Sequence, residues 1–338
     1  MRRPGSVFIT KASGAAQRSS PRVLCPGVTR DLDFLDGDQI ATSKRVRITD
    51  QHLQTYLRHG YVLVPKFLQG DELDAARRGM LAYFPSAEEL ANTPMRFGFI
   101  HEDPEHLQVE FPFADDVLND VSTHPELIAF VERVLGTRDV LLSQAAVWAK
   151  YAGTGDFEQG LHLDYQGNTL VVPRDDGDFR QVNMILYYTD VPAEMGPTFV
   201  VSQEKTRDLP RWPTHRTRKK DPALYKLERP VLAEAGDLLV FSMRTWHRAG
   251  AVTADAGVRF SHHFVWRSAA HAFQGYQQWS SKGESEELQR FVARAQPRQR
   301  EVLGFPRPGD PYWDDETLDA VALRYPGMDV GPYRKGRR

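Results

Sequence analysis

The stretch VLLSQAAVWAKY (residues 140–151) decides the fold, because it begins a series of short β-prone segments separated by Gly, Pro and Asp turns. The segments that follow it are 161–166, 181–191, 197–203, 229–241, 247–253 and 257–267. Short strands with turn residues between them are typical of a β-sandwich or barrel and not of alternating β–α units. We therefore predict a mainly β fold whose core spans about 140–268.

Helical patterns lie on both sides of this β core. Apolar residues at helical spacing, together with capping and stop residues, predict helices over 51–59, 71–83, 125–135 and 284–295. We expect one folded domain over 48–338, in which 269–338 forms a helical and irregular C-terminal extension. Residues 1–47 are expected to form a disordered N-terminal extension.

Composition narrows the functional classes. The chain has 338 residues and a formal net charge of −2, which gives no reason to expect nucleic acid or an anionic membrane as partner. It has one Cys, so that an intrachain disulfide and a cysteine-rich zinc site are both excluded. No apolar run reaches the roughly 18 residues of a membrane span. We expect a cytoplasmic protein.

The first 30 residues allow a second interpretation of location. They are rich in Arg and Ser and contain no acidic residue before Asp31. This composition is found in organelle transit peptides, although no apolar-periodic helix accompanies it. A solvated tail is the preferred interpretation, and a transit peptide stays open.

A candidate metal site lies in His162-Leu163-Asp164 and in the distant His247. Residues two apart on a strand point to the same face, so one short segment can supply two ligands. Two imidazoles and one carboxylate are the ligand set of non-haem Fe(II) oxygenases, and they leave positions open for O₂ and a co-substrate. We predict His162, Asp164 and His247 as iron ligands, with no catalytic side chain beyond the metal centre.

A rival motif, His101-Glu102-Asp103, shares the same spacing. It precedes the strand series, and Pro104 argues against a central strand at that point. We therefore prefer the later motif.

Arg259 and Ser261 provide the second half of the site. They share a face if 257–267 is a strand. A guanidinium binds a carboxylate through two hydrogen bonds, and a hydroxyl adds a third donor. An Arg buried in this aromatic-rich segment needs an anion, because an unpaired buried charge is costly. The pair can hold the distal carboxylate of 2-oxoglutarate, so the predicted cofactors are Fe(II), 2-oxoglutarate and O₂.

Over about 48–268 the chain resembles the phytanoyl-CoA dioxygenase family of Fe(II)/2-oxoglutarate oxygenases. The resemblance is carried by the segments 60–65, 162–164, 184–191, 196–201 and 235–241, and by His247 and Arg259. It implies a double-stranded β-helix, a jelly-roll or cupin-like core, with iron at its mouth. It also implies Gln144 and Thr198 as further contacts to the co-substrate.

The substrate site is less defined. Aromatic residues near the ligands are predicted to wall it, although at strand spacing they can equally be core. They are Trp148, Tyr165, Tyr187 and Trp246. The basic segment 204–230 is either a lid that attracts an anionic or carrier-tethered substrate or a solvated charged loop.

These features predict a dioxygenase that hydroxylates an unactivated C–H bond of a small molecule, with release of succinate and CO₂. The substrate classes considered are secondary metabolites, amino acids and acyl intermediates. A 2-oxoglutarate-dependent halogenase is disfavoured because Asp164 fills the position that a halide needs. A non-catalytic cupin-like binding protein and a zinc hydrolase both leave Arg259 without a role. The sequence makes no prediction of the oligomeric state.

Overall fold

The computed structural model describes residues 46–98, 100, 107–154, 158–164, 169–171, 180–271 and 279–335. The predicted N-terminal extension, except at its last residues, lies outside this part of the chain. So do the rival motif at 101–103 and Tyr165. The division into an extension and a single domain stays a prediction.

Two antiparallel sheets form the centre of the molecule. Their strands are β1 (Tyr61–Val64), β2 (Gln108–Glu110), β3 (Val140–Tyr151), β4 (Leu161–His162), β5 (Gln181–Tyr187), β6 (Thr198–Val200), β7 (His215–Arg216), β8 (Arg229–Val231), β9 (Leu238–Ser242), β10 (His247–Ala249) and β11 (Val258–Ser268). The large sheet has the order β1-β9-β5-β11-β3-β2, and the small sheet has the order β7-β4-β10-β6-β8.

The two sheets share one apolar cluster, as the predicted jelly roll requires. Ile185 and Leu239 come from the large sheet, and Val200 and Val231 come from the small one. Because helices cover the other face of the large sheet, every residue of β5 is buried. The predicted fold class, mainly β with flanking helices around a jelly-roll core, is confirmed.

One predicted β segment, 229–241, is instead two strands in different sheets. β8 belongs to the small sheet and β9 to the large sheet. The chain turns between them at Gly236, which has a positive φ of 95°. A side chain at this position would collide with the backbone carbonyl of Leu68, so the turn requires glycine.

Helices precede and follow the β core. Their bounds are α1 (Asp50–His59), α2 (Asp71–Leu81), α3 (Ala87–Asn92), α4 (Asp116–Ser122), α5 (Pro125–Leu135), α6 (Pro222–Tyr225), α7 (Glu286–Arg294), α8 (Pro297–Glu301), α9 (Asp315–Arg324) and α10 (Gly331–Lys335). Short 3₁₀ turns lie at 94–97, 203–205 and 279–282. In the described part of the chain, no helix combines the length and the apolarity that crossing a membrane demands.

The predicted helix ends at α1 and α5 are confirmed. The Thr49 hydroxyl accepts a hydrogen bond from the His52 amide, and Gly60, with a φ of 78°, ends α1. Pro125 begins α5, and Gly136, with a φ of 66°, ends it. These local signals fix the ends of the helices, and buried residues such as Tyr56 and Phe130 pack them in the core on the outer face of the large sheet.

The C-terminal segment packs against the same outer face. Trp279 donates its indole N–H to the Leu142 carbonyl at 2.9 Å, and the Phe291 ring lies 5.4 Å from that of Phe111. Along β11, Phe260 and Trp266 lie in this helix-covered core. Residues at the alternate positions of β11 therefore face the small sheet, where the candidate site lies.

Candidate active site

His162 and His247 are direct neighbours in the small sheet. They are cross-strand partners on β4 and β10, and their ring centroids lie 4.3 Å apart. Asp164 follows two residues after His162. Its Oδ1 is 3.6 Å from His162 Nε2, and its Oδ2 is 3.5 Å from His247 Nε2. One ligand atom from each residue lies within 4.8 Å of the others, a spacing that can hold a metal ion.

Backbone carbonyls select the form of both imidazoles that a metal needs. His162 Nδ1 donates to the Gly160 carbonyl and His247 Nδ1 to the Thr245 carbonyl, each at 2.9 Å. A carbonyl only accepts, so Nδ1 carries the proton and Nε2 keeps its lone pair. Burial, and then the neighbouring His247, lower the pKa of His162 and favour its neutral form. The three residues therefore fit a divalent metal ion.

Asn183 fixes the carboxylate of this triad. It lies on β5 in the large sheet, is 2% exposed, and donates its amide N–H to Asp164 Oδ2. With one oxygen held in this way, the other is available as a ligand. Sequence analysis missed Asn183, although a polar residue inside the apolar run of β5 is a signal that could have found it.

We expect Asn183→Leu to weaken metal binding by roughly 10- to 100-fold, the usual cost of losing a hydrogen-bond partner of a metal ligand. Titration of the metal-free protein with Mn(II) measures this. Asn183→Ser is the matched control, because its hydroxyl retains a donor and should lose less. Equal affinity of the wild type and Asn183→Leu would show that Asp164 needs no such support.

A cavity of about 450 Å³ lies between the sheets and contains this triad. Its volume is in the range of small-molecule sites. Of the residues predicted for co-substrate or substrate, six line it: Gln144, Trp148, Tyr187, Thr198, Arg259 and Ser261. Their roles stay predictions, but the fold places all six residues around the same cavity.

Arg259 is a partly buried cation without a carboxylate partner among the described residues. One terminal nitrogen donates to the Gly196 carbonyl, and Nε is buried without a partner. Burial lowers the pKa of this guanidinium. An enclosed guanidinium with unused donors is a site for an anion, because the anion supplies the missing charge and acceptors.

Tyr187 and Thr198 join the two sheets beside Arg259. The Tyr187 hydroxyl and Thr198 Oγ1 are hydrogen-bonded at 2.9 Å. Burial raises the pKa of Tyr187, so the phenol stays protonated at neutral pH. One of the two hydroxyls uses its proton in this bond, so the other retains a proton that it can donate towards the cavity.

Trp246 is a correction to the predicted substrate set. It is 2% exposed and packs with Leu161, Leu163 and Met243 in a core cluster, away from the cavity lining. The reason is strand alternation, since Trp246 directly precedes His247 and so points to the opposite face. Trp148 does line the cavity, and its indole N–H is buried without a partner.

The basic segment 204–230 carries its own counter-charges. Within the segment, Arg218 lies 3.4 Å from Glu228, and Arg216 lies 2.9 Å from Asp221. Glu228 also accepts two bonds of 2.7 and 2.9 Å from Arg248, which lies outside the segment and lines the cavity. The first two pairs neutralise cations of the segment, although Lys219 and Lys220 are exposed.

The same segment supports the strand that carries His162. Tyr225 accepts a hydrogen bond from the Leu161 amide at 3.0 Å and donates to the Arg216 carbonyl at 2.8 Å. The segment is therefore part of the scaffold of the metal site, whatever its effect on substrates.

We expect Glu228→Ala to destabilise the protein by about 3 kcal/mol, the lower end of the cost of breaking a buried ion pair, because it removes the bidentate partner of Arg248 and leaves only the more exposed Glu158, at 3.0 Å. The side chains of Arg248 and Glu228 are 4% and 10% exposed. Glu158→Ala is the matched control; that side chain is 44% exposed, and its loss should cost below about 1 kcal/mol. Urea unfolding of both variants measures the loss in the free energy of unfolding. Equal losses in the two variants would contradict the conclusion that the Arg248–Glu228 pair is buried and the Glu158 side chain is not.

The profile of the phytanoyl-CoA dioxygenase family matches residues 56–261. The chain belongs to the phytanoyl-CoA dioxygenase family. Membership confirms the predicted family. Together with the His162, Asp164 and His247 triad, it supports the predicted class of Fe(II)/2-oxoglutarate-dependent oxygenase.

Individual relatives are more distant. Dioxygenase af480 of Aspergillus fumigatus is 25% identical over 306 residues, which cover 90% of this chain and 88% of that protein. The epimerase SnoN, solved with Fe3+, alpha ketoglutarate and nogalamycin RO, is 20% identical, with a TM-score of 0.48 over 67% of this chain and 86% of its own. HygX from Streptomyces hygroscopicus, solved with nickel and 2-oxoglutarate, is 15% identical, with a TM-score of 0.47 over 65% and 87%.

Proposed function

We propose that this member of the family is a hydroxylase that uses Fe(II), 2-oxoglutarate and O₂ to oxidise an unactivated C–H bond of a small molecule. One observation carries the proposal. Three metal-ligand groups line the same cavity as a partly buried guanidinium that has no carboxylate partner among the described residues. A metal that binds one end of a dicarboxylate and a cation that binds the other end are what 2-oxoglutarate requires.

Each residue has a defined task in this proposal. His162, Asp164 and His247 hold the metal and leave its remaining positions free. Arg259 and Ser261 bind the distal carboxylate, with Gln144 and Thr198 as further polar contacts. When bound, iron and 2-oxoglutarate supply the oxidising chemistry, in which O₂ is consumed, one oxygen enters the substrate, and succinate and CO₂ leave.

The remaining wall of the cavity keeps water from the reaction. It includes the apolar side chains of Ile185, Phe241 and Val265. An apolar wall suits a substrate that presents a C–H bond to the metal. Lys150, which also lines the cavity, supplies positive charge for an anionic or carrier-tethered substrate.

Hydroxylation is favoured over halogenation by the state of Asp164. Halide could reach the metal only at a vacated protein position. Asp164 is present, and Asn183 holds it beside both imidazoles. Neither a non-catalytic binding protein nor a zinc hydrolase would need Arg259 to bind a carboxylate.

The test is succinate formation from 2-oxoglutarate under O₂. Purified protein with measured iron occupancy is assayed alone and with candidate substrates from the amino-acid, acyl and secondary-metabolite classes. We expect slow release without substrate and faster release with an accepted one, and a chelator should abolish both. No succinate from iron-loaded protein under any condition would contradict the proposal.

A further inference from the structure

Ser261 is poorly placed to act alone as a donor to a ligand. It is 1% exposed, and its hydroxyl carries one proton that can point to only one acceptor. Among the described contacts the partner of its Oγ is Nε2 of His263, at 3.1 Å. Whether Ser261 can donate to a carboxylate therefore depends on which of the two residues is the donor in this hydrogen bond.

His263 lies at the same face of β11 as Arg259 and Ser261, since the three residues alternate along the strand. Its ring lines the cavity and lies 5.5 Å from that of Trp148. Burial, then Arg259 and His247, lower its pKa to about 3, so the imidazole is neutral at neutral pH. It is neither a metal ligand nor a second cation for an anionic ligand.

We propose that His263 is a positioning residue that donates its Nε2–H to Ser261 and so turns the Ser261 proton towards the distal carboxylate of the co-substrate. The inference rests on the function proposed above and adds a residue that sequence analysis missed.

The opposite arrangement would work against binding. If Ser261 donated to His263, its oxygen lone pairs would face the carboxylate and repel it. With His263 as donor, Ser261 accepts from the ring and its own proton is free. Arg259 and Ser261 then present donors from one strand face, and a dicarboxylate is distinguished from a 2-oxo acid that lacks the distal group.

A double-mutant cycle tests this without any knowledge of the prime substrate. The protein is loaded with Mn(II), and calorimetry measures the Kd of 2-oxoglutarate and of 2-oxopentanoate, which lacks the distal carboxylate. The variants are Ser261→Ala, His263→Phe and the double variant. Phe keeps a ring beside Trp148 but cannot donate. His263→Gln keeps a donor and serves as the rescue variant.

We expect the wild type to prefer 2-oxoglutarate and each single variant to lose roughly tenfold of that preference, the scale of one hydrogen bond to a charged group. The double variant should lose no more than either single variant, because His263 acts through Ser261. His263→Gln should retain most of the preference. Unchanged Mn(II) affinity of a variant shows that its metal site is folded. If His263→Phe binds Mn(II) more weakly than the wild type, His263→Leu replaces it.

Two results would overturn the role of His263 but not the proposed function. One is additive losses in the double variant; the other is an equal weakening of both ligands by His263→Phe, which would indicate a structural role. No preference for 2-oxoglutarate in the wild type would instead overturn the proposed co-substrate, and this inference with it.

Discussion

Asp164→Ala is expected to abolish 2-oxoglutarate turnover. The substitution removes the only carboxylate of the triad and leaves only two imidazoles as ligands, so metal affinity should fall by more than the roughly 100-fold that loss of an outer hydrogen-bond partner can cost. It also leaves the Asn183 amide without its acceptor in a buried position. Iron content after desalting and succinate release together measure the effect.

Asp103→Ala is the matched control for this experiment. It removes the carboxylate of the rival motif at 101–103 and should leave iron content and turnover unchanged. If Asp164→Ala stayed active and Asp103→Ala did not, the earlier motif would hold the metal and the assigned site would be wrong.

Arg259→Ala is expected to have the second largest effect, on the co-substrate. Truncating one partner of a buried, hydrogen-bonded charge pair costs about 2–5 kcal/mol, which corresponds to a loss of affinity of roughly 30-fold or more. The KM for 2-oxoglutarate should rise by at least that factor. Metal affinity should change little, because Arg259 is not a ligand.

Arg259→Lys separates charge from geometry. It keeps the positive charge but loses the planar fork, so it should recover only part of the affinity. The Kd of 2-oxopentanoate should be similar in the wild type and both variants. An unchanged 2-oxoglutarate KM in Arg259→Ala would show that the distal carboxylate binds elsewhere.

The features of the fold and the site that the sequence predicted are those set by interactions between residues close in sequence. The ends of α1 and α5 depend on neighbouring residues, and the helices predicted over 51–59 and 125–135 lie within one residue of their observed positions. Arg259 and Ser261 could be paired because strand alternation is also local, whereas Asp164 lies beside His162 although β4 ends at His162. The distant His247 was joined to His162 and Asp164 because a non-haem iron site needs a second imidazole.

What the sequence did not predict depends on pairing between distant segments. Asn183 reaches Asp164 only because the two sheets face each other. The bidentate pair of Arg248 and Glu228 joins β10 to a long connection, and no spacing rule connects those positions. Trp246 was misplaced for a local reason, since the alternation that locates His247 also turns its neighbour to the other face.

In the proposed function, one cavity binds the metal and the dicarboxylate together. An anaerobic crystal structure of the protein with Fe(II) and 2-oxoglutarate tests it most directly. We predict iron at bonding distance from Nε2 of His162, Nε2 of His247 and one oxygen of Asp164, with the distal carboxylate on Arg259. Iron bound at 101–103, or 2-oxoglutarate bound away from Arg259, would contradict it.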